Sequence, residues 1–302
     1  MKRVLVTGAT GFIGRHCPLE LVRRGYEVHA VCWPEQRPSE GGVIWHQADL
    51  LEGPRPEALV DAIRPSHLLH LAWYAVPGKF WTSTANLRWV SASLRLLLEF
   101  TRAGGRRVVM AGTCAEYDWS YPVCIEGQTP LNPSTLYGAC KHAVQSVLAA
   151  WSKLQNLSWA WGRVFFLYGP GEHPDRLVAY VIRSLLSGQR ARCTSGKQVR
   201  DFMHVQDVAG AFVSLLDGEV CGPVNIAGGQ GVPLCDMIRR IADIQGKPDM
   251  VELGAIPDRP GEPASLVADV RRLRDEVGFA PTFTLDDGLA QTIQWWRENQ
   301  SR

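Results

Sequence analysis

Tyr137 and Lys141 stand four residues apart in the run Tyr-Gly-Ala-Cys-Lys, at the start of a segment with helical periodicity, so both fall on one helix face. A phenol loses its proton at about pH 10 in water, and an ammonium group close by favours the phenolate and brings proton exchange toward neutral pH. Upstream, the run Met110-Ala111-Gly112-Thr113 ends a strand pattern. Its threonine falls at the carboxyl edge of a sheet, where its hydroxyl can hold a carbonyl or hydroxyl of a bound molecule. Tyrosine, lysine and threonine together are a proton-transfer set.

A second run with chemical use lies at the amino end. Val4-Leu5-Val6 leads into Thr7-Gly8-Ala9-Thr10-Gly11-Phe12-Ile13-Gly14, and a helical segment begins near Arg15. Glycines at this spacing let a backbone approach a pyrophosphate, whose charge a helix N-terminus favours, so the order strand, glycine turn, helix predicts a dinucleotide site. A carboxylate at the end of the second strand would accept hydrogen bonds from the adenosine ribose and repel a 2′-phosphate. Residues 27–33 end without one, while Arg15 and Arg37 offer cations nearby. NADP(H) is therefore expected in preference to NAD(H). Asp49, in Gln47-Ala48-Asp49-Leu50, has two uses open to it, bonding an adenine amino group or capping a helix.

These groups need a scaffold that gathers them. Strand patterns at residues 3–7, 27–32, 43–46, 67–71, 107–111 and 158–166 alternate with helical patterns, clearest at 18–24, 89–102 and 134–153. Apolar strands without a polar face predict a doubly wound α/β domain with a parallel sheet covered on both sides. After Tyr168-Gly169-Pro170-Gly171 the pattern loosens into shorter elements. The expected division is a dinucleotide-binding Rossmann domain over 1–168 and a smaller mixed α/β domain over 169–302, some segments of which have the option of packing back on the first sheet.

Composition narrows the partners. The 302 residues are 46% hydrophobic and 21% charged, with 32 Lys plus Arg against 30 Asp plus Glu and no long basic stripe, which argues against nucleic acid or an anionic membrane as ligand. No apolar stretch reaches the roughly 18 residues of a spanning helix, and a cytoplasmic protein is expected. The eight cysteines are scattered without a CxxC pair or a His/Cys cluster, so reduced thiols and no metal are expected.

Taken together, the sequence closely resembles the extended short-chain dehydrogenase/reductase family, which contains nucleotide-sugar epimerases, dehydratases and ketoreductases. The resemblance spans nearly the whole chain. It is carried by residues 7–14, Asp49-Leu50, His70-Leu71-Ala72, Thr113, Tyr137 with Lys141, Tyr168-Gly169-Pro170-Gly171, residues 200–205 and Arg259-Pro260-Gly261-Glu262. It implies a catalytic set of Thr113, Tyr137 and Lys141. Cofactor contacts would come from Gly8, Thr10, Gly11, Phe12, Ile13, Gly14, Arg15, Arg37, Asp49, Leu50, Leu71 and Ala72, with Tyr137 and Lys141. Arg200 and Arg259 match positions that grip a nucleotide diphosphate, as guanidinium forks suit phosphate. Thr113, Cys114, Trp81, Phe166 and Arg176 complete the expected substrate site. The resemblance also implies a homodimer formed through the helices at 89–102 and 134–153.

Two of the family's reactions are not expected. Its 4,6-dehydratases follow the threonine with Asp and Glu, where this chain has Cys114 and Ala115. Its 3,5-epimerase-reductases use a cysteine two residues after the hydroxyl and a later histidine, where Ala115 and approximately Arg176 stand here. What remains is reduction of the C4 keto group of a nucleoside-diphosphate 4-keto-6-deoxyhexose, with 4-epimerisation of a nucleotide sugar as the alternative. The missing acid after the second strand favours the reductase. A non-catalytic dinucleotide sensor or scaffold is a third reading, opposed by the intact Thr113, Tyr137 and Lys141. Phe166 fills a slot where the family often has Asn, and the aromatic run at 73–81 is open to two readings, pocket wall or packing surface.

Overall fold

The structure is a computed structural model and describes residues 2–33, 35–36, 38–39, 41–52 and 56–299. In chain order its strands and helices are β1 (Arg3–Thr7), α1 (Cys17–Arg23), β2 (Glu27–Cys32), β3 (Val43–Gln47), α2 (Pro56–Ile63), β4 (His67–His70), α3 (Ala85–Arg102), β5 (Arg107–Thr113), β6 (Val123–Cys124), α4 (Leu136–Gln155), β7 (Ser158–Val164) and β8 (Phe166–Tyr168). There follow α5 (Leu177–Leu186), β9 (Ala191–Arg192), β10 (Val199–His204), α6 (Val205–Asp217), β11 (Gly222–Ile226), β12 (Gly231–Pro233), α7 (Leu234–Ile244), β13 (Val251–Glu252), β14 (Ser265–Ala268) and α8 (Leu285–Glu298).

A seven-stranded sheet in the order β11-β7-β5-β4-β1-β2-β3 forms the centre, with every pairing parallel. Strands buried on both faces need apolar residues at every position, and alternate residues serve opposite cores. Leu5, Val31, Leu68, Val108 and Met110 join α3 and α4 residues such as Leu96 and Leu148 on one side. Val4, Val6, Val28, Ala30, Leu69 and Val109 face α1 and α6 residues such as Leu21 and Phe212 on the other. The chain leaves β1 for β2 on one side and returns to place β4 on the other, which opens a crevice at the carboxyl ends of β1 and β4.

The division at residue 168 is less clean in space than in sequence, because α6 covers the central sheet and β11 extends it beyond β7. The rest of the second half builds a smaller mixed sheet, β12-β10-β14-β6 with β8 beside β10, and a core from α5, α7 and α8. Asp201 ties this sheet together by accepting the amides of Gly228, Gly229 and Ala268. No helix of the described residues is long and apolar enough to cross a membrane.

Candidate active site

A cavity of about 900 Å³ lies between the carboxyl ends of the central strands and the smaller sheet. At one end the loop after β1 lines it with Gly8, Thr10, Gly11, Phe12, Ile13 and Gly14. Gly8 sits at φ +70°, and a Cβ there would lie 2.7 Å from the amide nitrogen of Ala72, so only glycine lets the β1 and β4 loops meet. A Cβ on Gly14 would overlap the carbonyl oxygen of Gly8. Leu50, Leu71 and Ala72 line the same end. This is the backbone cradle a dinucleotide pyrophosphate needs, and the residues present fit that group.

Past the cradle, Thr113 ends β5 and Tyr137 lies in the first turn of α4. The helix starts there because Thr135 caps it, its hydroxyl accepting the amide of Gly138 at 3.1 Å. Tyr137 and Thr113 both line the cavity, and burial pushes the phenol above its ordinary range. One turn on, Lys141 is buried, and its Nζ donates to the carbonyl of Ala111 at 2.8 Å while lying 3.9 Å from the centre of the Trp73 ring. Burial lowers its pKa to about 7, partly offset by the charge of Glu116.

Glu116 is fully buried and engaged. Its Oε1 accepts the Thr113 amide at 2.8 Å, the Trp161 indole bonds to the carboxylate at 2.9 Å, and Arg163 Nε donates to Oε2 at 2.8 Å. Together with the Thr113 hydroxyl, which accepts the amide of Ala115, this makes a capping box at the turn after β5. Glu116 thus fixes the turn that presents Thr113 and has no exposed oxygen for substrate. Cys114 does line the cavity, with its thiol pushed up by burial.

The run at 73–81 folds over the phenol. Ring centres of Phe80, Trp81 and Trp73 lie 4.8, 5.8 and 6.5 Å from that of Tyr137, and Trp81 meets Trp119 edge to face at 6.0 Å. Buried Asn86 holds the run in place, donating to the carbonyls of Phe80 and Ser83 and accepting the Trp73 indole at 2.8 Å. The aromatic run is a cavity wall.

The smaller sheet and the loop after β8 supply charge. Arg176, Arg200 and Arg259 line the cavity with Phe166. Arg200 is anchored on the carbonyls of Val199 and Pro263, both at 2.9 Å, with its guanidinium 5.3 Å from the Phe166 ring centre. Phe166 therefore serves as a platform for the arginine. The backbone of Arg176 is bonded to His173 and Tyr180.

Two expected cofactor residues, Arg15 and Asp49, are not brought to this cavity. Arg15 turns away and donates to the carbonyls of Pro170 and Gly171 at 3.3 and 2.8 Å, pinning that loop to the cradle instead of offering a cation to a ribose phosphate. Asp49 accepts the amide of Leu51 at 2.8 Å in a local turn and is not a lining residue. Arg37 lies outside the described residues. Conversely, Glu172, Thr135 and Trp119 line the cavity and escaped the sequence reading. The available signals were a carboxylate directly after Gly171 and the Ser-Thr pair just before the catalytic helix.

Comparison with known proteins agrees with this geometry. Residues 4–227 match the NAD dependent epimerase/dehydratase family. The chain belongs to that family. A dTDP-glucose 4,6-dehydratase of Xanthomonas campestris pv. campestris is 27% identical over 100% of this chain and 95% of its own length. Among solved structures, MoeE5 in complex with UDP-glucuronic acid and NAD is 32% identical, with a TM-score of 0.85 over 98% of this chain and 99% of that one. TunA, an NAD dependent NDP-hexosamine 5,6-dehydratase of tunicamycin biosynthesis, is 28% identical, with a TM-score of 0.84 over 100% and 99% of the two chains. The family member described here is an enzyme of the extended short-chain dehydrogenase/reductase type, with its Rossmann-like fold intact.

Proposed function

We propose that this family member reduces the C4 keto group of a nucleoside-diphosphate 4-keto-6-deoxyhexose. The observation that carries the reading is that Thr113 and Tyr137 line the cavity together while Glu116, the carboxylate that follows Thr113 most closely, is sealed against Arg163 and Trp161. Thr113 and Tyr137 can move one proton at one oxygen, and Cys114 and Ala115 after Thr113 supply no carboxylate pair for elimination at C5 and C6. Gly8 to Gly14, Leu50, Leu71, Ala72 and Lys141 would hold the nicotinamide dinucleotide, which supplies the hydride when bound. Thr113 holds the sugar oxygen. Tyr137, kept protonated by burial, delivers the proton as charge develops there. Phe80, Trp81 and Trp119 exclude water and present an apolar surface suited to a C6 methyl group. Arg200 and Arg259 would take the diphosphate.

NADP(H) is the preferred cofactor in this reading. The residue after β2 is Trp33, and the carboxylates lining the cavity among the described residues, Glu172 and Glu262, are not at that strand end. The exposed Leu87 and Leu98 of α3 and Val147 and Leu154 of α4 support a homodimer through those helices. We place the enzyme in the cytoplasm, where the reduced dinucleotide is available.

A second reading is 4-epimerisation of a nucleotide sugar. It is favoured by the NAD and UDP-glucuronic acid bound to MoeE5 and by Arg176, a cavity-lining cation that suits a C6 carboxylate. Oxidation of NADPH and NADH at 340 nm with a panel of nucleoside-diphosphate 4-keto-6-deoxyhexoses separates the two. Turnover of one panel member, lost in Tyr137→Phe, is the expected result. Silence across the panel, with conversion of UDP-glucuronic acid or UDP-glucose to the 4-epimer, overturns the reductase in favour of the epimerase.

A further inference from the structure

A buried ammonium needs partners for its donors and for its charge. Lys141 is only 4% exposed, and its Nζ donates to the carbonyl of Ala111 at 2.8 Å. That neutral bond leaves the charge unanswered. Glu116, the carboxylate whose charge reaches the lysine, is bonded instead to Arg163 at 2.8 Å. The other titratable neighbours bring no negative charge. His70, at the end of β4, has its ring nitrogens against the hydroxyls of Thr7 and Ser93, and burial and the lysine charge push it down to about 3, so it is neutral. Tyr137, one turn earlier on α4, is kept protonated by burial.

The remaining partner is a ring. Lys141 Nζ lies over the Trp73 indole, 3.9 Å from its centre, well inside the distance of about 6 Å over which an aromatic face attracts a cation. Indole has the strongest face of the aromatic side chains, and the attraction grows when water is excluded. The ring is itself held in place. Its Nε1 donates to Asn86 Oδ1 at 2.8 Å, and it stacks on Trp89 of α3 with 6.2 Å between ring centres. Asn86 is fully buried and donates in turn to the carbonyls of Phe80 and Ser83. Thus α3 fixes the indole, and the indole lies against the ammonium where both line the cavity.

We propose that Trp73 is a positioning residue whose indole face seats the Lys141 ammonium at the cavity wall, in the place from which the lysine holds the dinucleotide. The proposal rests on the reading of Lys141 as a dinucleotide ligand given above. Burial, partly offset by Glu116, brings Lys141 down to about 7, so further contacts decide its charge at neutral pH. A ring face attracts the ammonium and not the neutral amine, and it therefore keeps the lysine charged as well as placed.

The test reads the lysine directly in the full chain. In protein carrying lysine labelled with 13C at Cε, the resonance absent from Lys141→Met reports its titration. A tetrafluorinated tryptophan placed at position 73 keeps the size of the ring and removes the negative potential of its face, so the midpoint should fall by about one pH unit or more. Trp73→Leu, with folding verified by circular dichroism, should lower it at least as far. An unchanged midpoint with the fluorinated ring overturns the proposal. NADPH binding, followed by fluorescence, should weaken above the lysine midpoint in the native protein, and that decline should begin about one pH unit lower with the fluorinated ring. Equal NADPH affinity in Lys141→Met and the native chain, with the lysine midpoint still shifted by fluorination, overturns the reading of Lys141 as a dinucleotide ligand and leaves Trp73 no role in binding.

Discussion

The amide of Tyr137 donates to the carbonyl of Trp81 at 3.2 Å. First-turn amides of a helix have no partner within it, and here the aromatic wall supplies one to the residue that carries the phenol. Wall and catalytic helix are thereby registered to each other. The Trp81 side chain stands edge-on to the Tyr137 ring at 5.8 Å and against Trp119 at 6.0 Å, so one indole bridges the catalytic helix and the turn after β5.

Trp81→Ala leaves the backbone bond in place and removes the indole. Aromatic contacts of this kind contribute about 0.5–1.5 kcal/mol beyond area burial, so kcat/KM should fall by up to about tenfold, with dinucleotide affinity retained. Steady-state kinetics beside a fluorescence titration with NADPH would check it. Unchanged kinetics would remove Trp81 from the sugar pocket.

Gly14→Ala should abolish dinucleotide binding while leaving the other half of the cavity intact. The new Cβ would overlap the Gly8 carbonyl oxygen, and that is backbone that cannot rotate away. Relief requires reshaping the cradle, so NADPH titration should show at least about a hundredfold loss, equivalent to roughly 3 kcal/mol.

Arg163→Met tests the buried support beneath Thr113. Glu116 and Arg163 are both almost fully buried, and removal of one partner strands the other charge. A loss of about 3–5 kcal/mol of stability is expected, read as a lower midpoint in urea. Catalysis should fall as well, because the Thr113 amide is held by the same carboxylate.

Much of this frame was legible in the chain. The strands at 3–7 and 27–32 match the predicted bounds because Val4-Leu5-Val6 and Val28, Ala30, Val31 and Cys32 put apolar residues on both faces, a pattern that a two-sided parallel sheet requires. The cradle, Thr113, Tyr137 and Lys141 followed from local spacing. Arg15 and Asp49 did not behave as expected, since what a side chain reaches depends on loops distant in sequence. Arg15 finds its acceptors at residues 170–171. Glu172 was missed for the same reason. Its burial arises from the path of the loop after β8 rather than from any periodic signal.

The homodimer proposal makes its own demand on solution behaviour. Leu98 and Val147 are exposed on α3 and α4, the two helices that pack side by side on the outer face of the sheet. Light scattering after size exclusion should give twice the chain mass. A double variant, Leu98→Glu with Val147→Glu, should give a folded monomer, because like charges facing their symmetry mates cannot be desolvated together. A stable monomer of the native chain would reject the interface.

Glu172 also makes stability depend on pH, with a sign that can be fixed in advance. Burial pushes its carboxyl up to about 8 in the folded chain, well above the roughly 4.3 of an unperturbed glutamate. Between those values the folded protein retains a proton that the unfolded chain has lost. Its contribution is therefore fully present below the lower value and declines as pH rises to the upper one. Glu172→Gln has no such proton to lose. The melting temperature of Glu172→Gln relative to the native protein should accordingly climb from about pH 5 to pH 8 and level off above it. A difference that stays constant across that range would mean that the carboxyl ionises as it does in water, and that the wall beside Arg176 carries a negative charge at neutral pH.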